Sequence, residues 1–310
     1  MKHFLKTILF FFLPLTIILI GLEYGMRSVP NVYQYKNQWL EKNISTTKIW
    51  VIGASHGLYG INPEYFSKPA FNSCHVSQTL PYDAFIFDKF IDKADSLESV
   101  ILPVSYFSLT YSLEQSDEWW RIKNYCIYYD CPYHSNETKY HLEILGNPLP
   151  YYKQVIRVWH YWKDGMDSRG CDSLGFAHDY SKDKRSEEWW KGGDKRANSH
   201  TKNIEERKDV IRTNIDYLEK ILISCEKKNI RVMLLTTPVC SSYYENIDDA
   251  QYELMVNTCE DMTKRHCNVI YVNLLTDSRF TVEDFYDADH LCEIGAEKLT
   301  RIIDDLYITK

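Results

Sequence analysis

The residues from 49 to 57 read Ile49-Trp50-Val51-Ile52-Gly53-Ala54-Ser55-His56-Gly57. Four consecutive apolar residues followed by a glycine are typical of a short buried strand that ends in a turn. A turn at this point would expose the hydroxyl of Ser55 at the end of the strand. A serine hydroxyl is a poor nucleophile until a base takes its proton. A nucleophilic Ser55 therefore requires a base from elsewhere in the chain.

A second polar segment, near the C-terminus, can supply that base: Asp287-Ala288-Asp289-His290. A histidine works best as a base when a carboxylate fixes its tautomer. Side chains one residue apart seldom face each other, whereas a turn can return Asp287 to the imidazole. We therefore prefer Asp287 as the orienting acid, and Asp289 is the alternative. The two segments together contain the parts of a hydrolytic triad.

Between these segments, strand patterns and helix patterns alternate. The patterns predict strands at 49–52, 70–72, 100–104, 231–236 and 269–273, and helices at 80–93, 204–228, 249–266 and 294–306. Such alternation predicts an α/β protein whose parallel sheet is covered by helices on both faces. At 310 residues, the chain is long enough for one large α/β domain or two small ones.

The N-terminus carries a membrane signal. Lys2 and Lys6 precede an uncharged, mostly apolar stretch over residues 7–22, which is close to the length that spans a bilayer. No small-residue cleavage site follows this stretch. We therefore predict an uncleaved single-pass anchor over residues 1–27 rather than a cleaved signal peptide. The two lysines place the N-terminus in the cytoplasm and the rest of the chain on the extracytoplasmic side.

The remaining chain divides into a linker and one large domain. Residues 28–47 are polar and partly helical, and we assign them to a linker. Residues 48–310 form the predicted α/β domain. The alternation of strand and helix patterns is interrupted over residues 105 to about 200, where a connection of a few residues would normally suffice. We predict that this segment is an insertion over the C-terminal edge of the sheet, where open α/β sheets bind ligands.

The insertion is rich in aromatic residues. Trp119-Trp120 and Trp189-Trp190 are adjacent pairs flanked by charges. Such pairs usually form a small core of their own, and the alternative is a platform on which sugar rings stack. The glycine pair Gly192-Gly193 predicts a mobile loop beside the second tryptophan pair.

Composition excludes several classes of protein. A formal net charge of -7 argues against a nucleic-acid partner, because phosphate binding requires a basic surface. The sequence contains neither a phosphate-binding glycine loop nor a zinc-type cysteine pattern, so we predict no cofactor and no metal. Nine cysteines are scattered along the chain, and Cys126 with Cys131 is the nearest pair that a disulfide could join.

The quoted segments together resemble the SGNH/GDSL hydrolases, a family of serine esterases and acetyltransferases on a flavodoxin-like three-layer α/β/α sandwich. In that family a Gly-Asp-Ser-like block follows the first strand, and here it reads Gly53-Ala54-Ser55-His56. The family's D-x-x-H block corresponds to Asp287 and His290. The resemblance implies that Ser55 is the nucleophile, His290 the general base and Asp287 the orienting acid. It covers residues 48–110 and 204–308.

The resemblance also implies an oxyanion hole, from which this sequence departs twice. Ser77 stands where the family has a glycine whose backbone N–H points at the oxyanion. The family's asparagine is missing after the third strand, where Ser105 or Ser108 could substitute. Loss of one such donor typically lowers the rate about 100- to 1000-fold.

The implied function is a serine esterase or O-acyltransferase for ester-linked acyl groups, acetyl above all, of an extracytoplasmic glycan or cell-envelope substrate. An acylated small molecule is a further substrate class, and a membrane acyltransferase is a further partner. The alternative is a catalytically weak scaffold of the same fold that binds a glycan or a partner during envelope polysaccharide assembly.

Four other polar residues have structural interpretations. His56 is expected to be a solvated turn histidine, although it could line the entrance to the site. Asn72 either holds the turn around Ser55 or simply ends a strand. His178 and His200 are expected to be solvated.

Overall fold

The computed structural model describes residues 2–146, 150–165 and 169–308. Within these residues five strands form one parallel sheet in the order β2-β1-β3-β4-β5. The strands are β1 (Ile49–Val51), β2 (Ala70–Asn72), β3 (Ser99–Pro103), β4 (Arg231–Thr236) and β5 (Val269–Asn273). The predicted α/β class and its parallel sheet are confirmed, and each predicted strand is present within about one residue of its predicted ends.

Helices precede, separate and follow the strands. Within the same described residues they are α1 (Lys2–Ser28), α2 (Val32–Asn43), α3 (Ser55–Gly60), α4 (Leu80–Phe90), α5 (Ile122–Tyr128), α6 (Glu143–Gly146), α7 (Tyr151–Asp164), α8 (Gly193–His200), α9 (Lys208–Lys227), α10 (Ser241–Tyr244), α11 (Asp249–Arg265) and α12 (Glu293–Ile303). The four helices predicted from apolar spacing are α4, α9, α11 and α12. The segment assigned to a linker contains α2.

The sheet is the middle of three layers, because adjacent residues of β1 point to opposite faces. Trp50 stacks on Phe87 of α4 at 5.8 Å between ring centroids. Val51 belongs instead to an apolar cluster with Leu58 of α3 and Leu299 of α12. Helices α4 and α9 pack against each other, as do α3 and α12. The three-layer sandwich follows from this alternation.

The chain forms two compact units. One consists of Met1–Asn37 and Asp117–Gly170, and the other, which holds the sheet, consists of Gln38–Ser116 and Cys171–Lys310. The predicted insertion is therefore divided. Its central part belongs to the unit that contains α1, and its two flanks belong to the sheet unit. The position predicted for the insertion, over the edge of the sheet, stays a prediction.

In the first unit, α1 is apolar over most of its length. In the described part of the chain, one helical segment, Phe10–Ser28, is both long enough and apolar enough to cross a membrane. Its polar end lies against protein instead. The carboxylate of Glu23 accepts hydrogen bonds from the backbone N–H groups of Glu143 and Ile144, at 3.0 Å each, and thereby caps α6. The choice between an anchor and a signal peptide stays a prediction.

The local cysteine pair does not form a disulfide. Cys126 lies in α5 as a buried thiol, and burial raises its pKa to about 11. The pairing with Cys131 considered from sequence spacing is therefore wrong.

Candidate active site

Ser55 lies where β1 passes into helix α3. It is the first residue of α3, four residues after the end of the strand. The turn brings this segment close to the neighbouring strands: a Cβ on Gly57 would lie 2.6 Å from Cys74 Sγ and 2.8 Å from Pro103 Cγ. Only glycine permits this approach without displacement of its neighbours. Gly57, two residues after Ser55, thus holds α3 against the ends of β2 and β3.

Asn72 at the end of β2 holds the same helix. Its side-chain amide donates hydrogen bonds to the carbonyls of Gly57 and Ile61, both at 2.8 Å. Its side-chain oxygen accepts from the N–H of Cys74 at 3.0 Å. Of the two interpretations left open by the sequence, the structure supports the first: Asn72 holds the turn that carries Ser55.

The structure brings Ser55, His290 and Asp287 together. His290 Nε2 lies 2.9 Å from Ser55 Oγ, and His290 Nδ1 lies 3.0 and 3.1 Å from the two oxygens of Asp287. A carboxylate can only accept, so Nδ1 carries a proton, and in the neutral form of the ring Nε2 accepts from the serine hydroxyl. Asp287 also accepts the backbone N–H groups of Asp289 and His290, at 3.1 and 2.8 Å. This turn returns the Asp287 side chain to the imidazole.

Asp289 is a second carboxylate at the same histidine. Its Oδ1 lies 3.4 Å from His290 Nδ1, and its side chain is 1% exposed. Asp289 also accepts hydrogen bonds from His56 Nε2 at 3.2 Å and from Arg196 Nε at 2.9 Å. The two carboxylates that the sequence offered as alternatives therefore both face His290. Asp287 makes the direct hydrogen bonds to the imidazole, and Asp289 connects it to a wider network.

These charges set the protonation of the site. Burial lowers the pKa of His290, but the carboxylates of Asp289 and Asp287 outweigh burial and raise that pKa to about 10. Burial acts against the charged form of Asp289 too, but the neighbouring His290 and His56 hold the pKa of that carboxyl well below its usual range. The arrangement therefore favours an imidazolium–carboxylate pair.

His56 is buried, not solvated as the sequence predicted. Burial lowers its pKa, so the ring is neutral. Because its Nε2–H donates to Asp289, its Nδ1 accepts a hydrogen bond from the hydroxyl of Ser105. The backbone N–H of Ser105 donates to Ser108 Oγ at 2.8 Å. Both donors of Ser105 are thus engaged within the protein, and the geometry does not support the oxyanion role predicted for it.

Two backbone N–H groups are better candidates for the oxyanion hole. Ser77 adopts a left-handed conformation, with φ of 58°. This conformation costs a non-glycine residue about 1–2 kcal/mol, and it is the conformation that the expected glycine would adopt freely. The backbone N–H of Ser55 has no bonded acceptor among the described residues. An oxyanion role for these two N–H groups stays a prediction.

A stack of three tyrosines lies against His290. Tyr180 is sandwiched between Tyr59, at 3.7 Å between centroids, and Tyr286, at 4.1 Å. The edge contact between Tyr180 and His290 is 5.2 Å. These rings shield the imidazole from solvent and limit its orientations.

Sequence patterns missed several of these residues. Tyr180 and Arg196 come from the segment assigned to the insertion, and neither belongs to a recognisable motif. His200, predicted to be solvated, instead bonds to Tyr243 at 2.8 Å, and burial lowers its pKa to about 3. His178 is exposed, as predicted.

The two tryptophan pairs lie in different units. Trp119 and Trp120 belong to the unit that contains α1, and Trp189 and Trp190 belong to the sheet unit. Trp189 stacks on Phe285 at 6.3 Å and packs against the main apolar cluster, whereas Trp190 is 45% exposed. Trp189 is therefore in part a core residue, and a sugar-binding role for either pair stays a prediction.

The glycine pair beside Trp190 lies at a helix start rather than in the predicted mobile loop. Gly192 ends a short turn, and Gly193 begins α8. A Cβ on Gly193 would lie 2.4 Å from the backbone of Ser242. Close packing against α10, not freedom of motion, explains this glycine.

Three side chains of the site could in principle offer ligands to a cation. One ligand atom each from His56, Asp289 and His290 lies within 4.8 Å of the other two. The guanidinium of Arg196, however, already bonds to Asp289 at 2.9 Å. A fixed positive charge on the same carboxylate disfavours a metal ion there. The donor set fits a hydrogen-bond network better than a metal site.

No protein-family model matches the chain, and neither does any curated protein. Two solved structures are similar over most of the chain. One, from Streptococcus pneumonia and named as a platelet activating factor, covers 96% of this chain and 97% of its own, with 12% identity and a TM-score of 0.43. The other, from Bacteroides fragilis and named as an acylhydrolase, covers 88% and 95%, with 10% identity and a TM-score of 0.40. Similarities this distant assign no activity.

Proposed function

We propose that this protein is a serine-dependent esterase or O-acyltransferase of the SGNH/GDSL type. The observation that carries the proposal is the 2.9 Å contact between Ser55 Oγ and His290 Nε2. Asp287 orients the imidazole from its other nitrogen. A nucleophile, a base and an orienting acid within hydrogen-bond reach are the elements of acyl transfer through a covalent intermediate.

The reaction proceeds in two halves. Ser55 Oγ attacks the acyl carbonyl carbon while its proton passes to His290 Nε2. The tetrahedral intermediate collapses, the ester C–O bond breaks, and the leaving alkoxide takes the proton from Nε2. An acyl-serine remains. Water or a second hydroxyl then attacks this ester and gives its proton to Nε2. The acyl–Oγ bond breaks, and Ser55 Oγ takes that proton from Nε2 as it leaves. Water as the acceptor gives hydrolysis, and a sugar hydroxyl gives transfer.

The developing oxyanion is stabilised by the backbone N–H groups of Ser55 and Ser77. Backbone donors fixed before the reaction need no reorganisation in the transition state. The left-handed conformation of Ser77 supports this role, because a conformational cost at a non-glycine residue indicates a geometric requirement.

Acetyl is the acyl group that we propose, because the resemblance to the SGNH/GDSL esterases and acetyltransferases implies it. We expect turnover of p-nitrophenyl acetate to exceed that of p-nitrophenyl butyrate.

The substrate that we propose is an acylated glycan or other envelope component outside the cytoplasm. Lys2 and Lys6 before the apolar helix favour this orientation. The exposed Trp119 and Trp190 offer aromatic faces for sugar rings. An acylated small molecule is also compatible with the site. A membrane acyltransferase that donates the acyl group is the partner that this arrangement suggests.

The test compares the full chain, purified in detergent, with two variants on p-nitrophenyl acetate. We expect Ser55→Ala to lose activity by about 1,000-fold or more, as triad knockouts do. Ser112→Ala is the matched control, because the Ser112 hydroxyl donates to Glu114 at the surface, away from the triad. Equal rates for the wild type and Ser55→Ala would refute the catalytic role.

A second candidate function is a catalytically weak scaffold that binds a glycan or a partner. Two observations favour it: Ser105 has both donors engaged, and the raised pKa of His290 keeps most of the base protonated at neutral pH. Glycan binding by a wild type that turns over no faster than Ser55→Ala would select this function.

A further inference from the structure

Helix α7, Tyr151–Asp164, has an apolar face that is exposed. Five side chains form this face, with exposed fractions between 44% and 66%: Tyr152, Val155, Ile156, Trp159 and Trp162. At 100° per residue they fill an arc about 120° wide. An apolar arc of this width is normally buried, so its exposure requires an explanation.

The side of α7 that contacts its own unit is a different one. Gln154 is buried, and Val158 and Tyr161 are half-buried. These residues lie about 100° to 160° around the helix from the centre of the apolar face. The exposed face is therefore not a packing surface that α7 presents to α1, α5 or α6.

Helix α7 packs beside the end of the apolar helix α1. Val158 Cγ1 would lie 3.1 Å from a Cβ on Gly25, so the two backbones approach closely at this point. Gly25 follows the last residue of the apolar stretch, Leu22, by three positions, or about 4.5 Å along the helix axis. If the uncharged stretch of α1 that ends at Leu22 is the part that enters a bilayer, α7 is held at the level where the hydrocarbon layer ends.

The polar residues of α7 also suit a position at the membrane–water interface. Lys153, Arg157 and Lys163 are cationic, and Asp164 alone is acidic. The chain as a whole is negative, so this helix is unlike its surroundings in charge. Tryptophan and tyrosine prefer the membrane–water interface, and lysine and arginine interact with anionic head groups there.

We infer that α7 is an interfacial membrane-binding helix. Its apolar face inserts among the lipid head groups and upper acyl chains, and Lys153 lies beside this face. Lys163 lies within the arc in the last turn of α7, and its long side chain extends the ammonium to the polar surface. The partner is a lipid bilayer, and the unit that carries α1 therefore contacts the membrane at two places. This inference is independent of the catalytic role proposed for Ser55.

The experiment uses tryptophan fluorescence, because α1 contains no tryptophan. The full chain is reconstituted into vesicles of phosphatidylcholine and phosphatidylglycerol. In parallel samples the phosphatidylcholine is brominated near the carbonyl end of its acyl chains, since bromine quenches indoles that it contacts. We expect quenching in the wild type and loss of most of that quenching in the double variant Trp159→Phe/Trp162→Phe.

Two single variants serve as matched controls. Trp119→Phe removes an exposed indole from the same unit, and Trp190→Phe removes one from the sheet unit. Both should retain the quenching of the wild type. Trp159 and Trp162 are largely exposed, so their replacement by phenylalanine leaves the fold intact, which circular dichroism checks.

Equal quenching in the wild type and the double variant would overturn the inference, as would the absence of quenching in both. If a second copy of the chain covers the face instead, the wild type will show no quenching and will cross-link as a dimer through α7. That result would also overturn it.

Discussion

His290 Nε2 lies 2.9 Å from Ser55 Oγ, although 235 positions separate the two residues in sequence. Ser55 begins the helix after the first strand, and His290 precedes the last helix. Because the five strands of the sheet are parallel, their carboxyl ends lie at one edge of the sheet. The segment that carries Ser55 and the segment that carries His290 meet at this edge. The fold thus creates the contact on which the proposed chemistry depends.

The two carboxylates at His290 should have separable effects. Asp287→Asn removes the acceptor of the Nδ1–H hydrogen bond and should lower kcat about 100-fold or more, because the tautomer is no longer fixed. Asp289→Asn keeps that bond and should affect the pH dependence more than the limiting rate at high pH. Steady-state kinetics on p-nitrophenyl acetate measures both. If Asp289→Asn were the more damaging at every pH, Asp289 would be the orienting acid.

The activity should rise with pH. His290 acts as a base only when neutral, and its pKa is raised to about 10. At pH 7 only about one molecule in a thousand then has a neutral base, so the rate should increase through pH 8 and 9 towards a plateau. Removal of the nearby charge in Asp289→Asn should shift the midpoint down by roughly 1–3 pH units. Asp209→Asn, at an exposed site, should leave the midpoint unchanged.

The raised pKa of His290 also makes the stability of the fold depend on pH. A histidine whose pKa is raised in the folded state stabilises that state most below its unfolded pKa, near 6.5. This contribution is lost as the pH rises through about 10. The difference in melting temperature between the wild type and His290→Gln should therefore shrink from pH 6 to pH 10. A difference that grew over this range would contradict the raised pKa.

Gly57→Ala should destabilise the protein. The new Cβ would lie 2.6 Å from Cys74 Sγ and 2.8 Å from Pro103 Cγ, and overpacking of this kind costs about 1–3 kcal/mol. Gly192→Ala is the matched control, because its Cβ would meet no atom within 4 Å. Thermal or urea unfolding compares the two variants. Equal stability would mean that α3 can move away from β3 without cost.

Metal chelation should not change the rate. Arg196 already neutralises Asp289, the carboxylate that a cation would need. Ester hydrolysis before and after dialysis against EDTA, at a pH where the wild type is active, measures this directly. A loss that zinc or magnesium restores would assign the His56, Asp289 and His290 cluster to a metal.

The parts of the site that lie in continuous segments could be predicted from sequence. Ser55 follows a strand pattern, and Asp287 and His290 lie within one turn, so local patterns were sufficient. The sheet followed from five apolar runs separated by helices. These features depend on interactions over a few residues.

The rest depends on contacts that sequence patterns do not encode. His56 appears polar and exposed in a turn, yet Ser105 and Asp289 satisfy both of its nitrogens in the interior. Arg196 lies in a polar helix of the presumed insertion and reaches Asp289 only through the tertiary fold. The two tryptophan pairs belong to different units, a division that no composition change marks.

The central claim is that Ser55 is an activated nucleophile, and covalent labelling tests it most directly. A fluorophosphonate reacts with a serine only when a base removes its proton. The folded full chain, treated at pH 9 and analysed by peptide mass spectrometry, should carry the adduct on Ser55, and His290→Ala should carry none. An unlabelled Ser55 in the wild type, or equal labelling of the wild type and His290→Ala, would contradict the account.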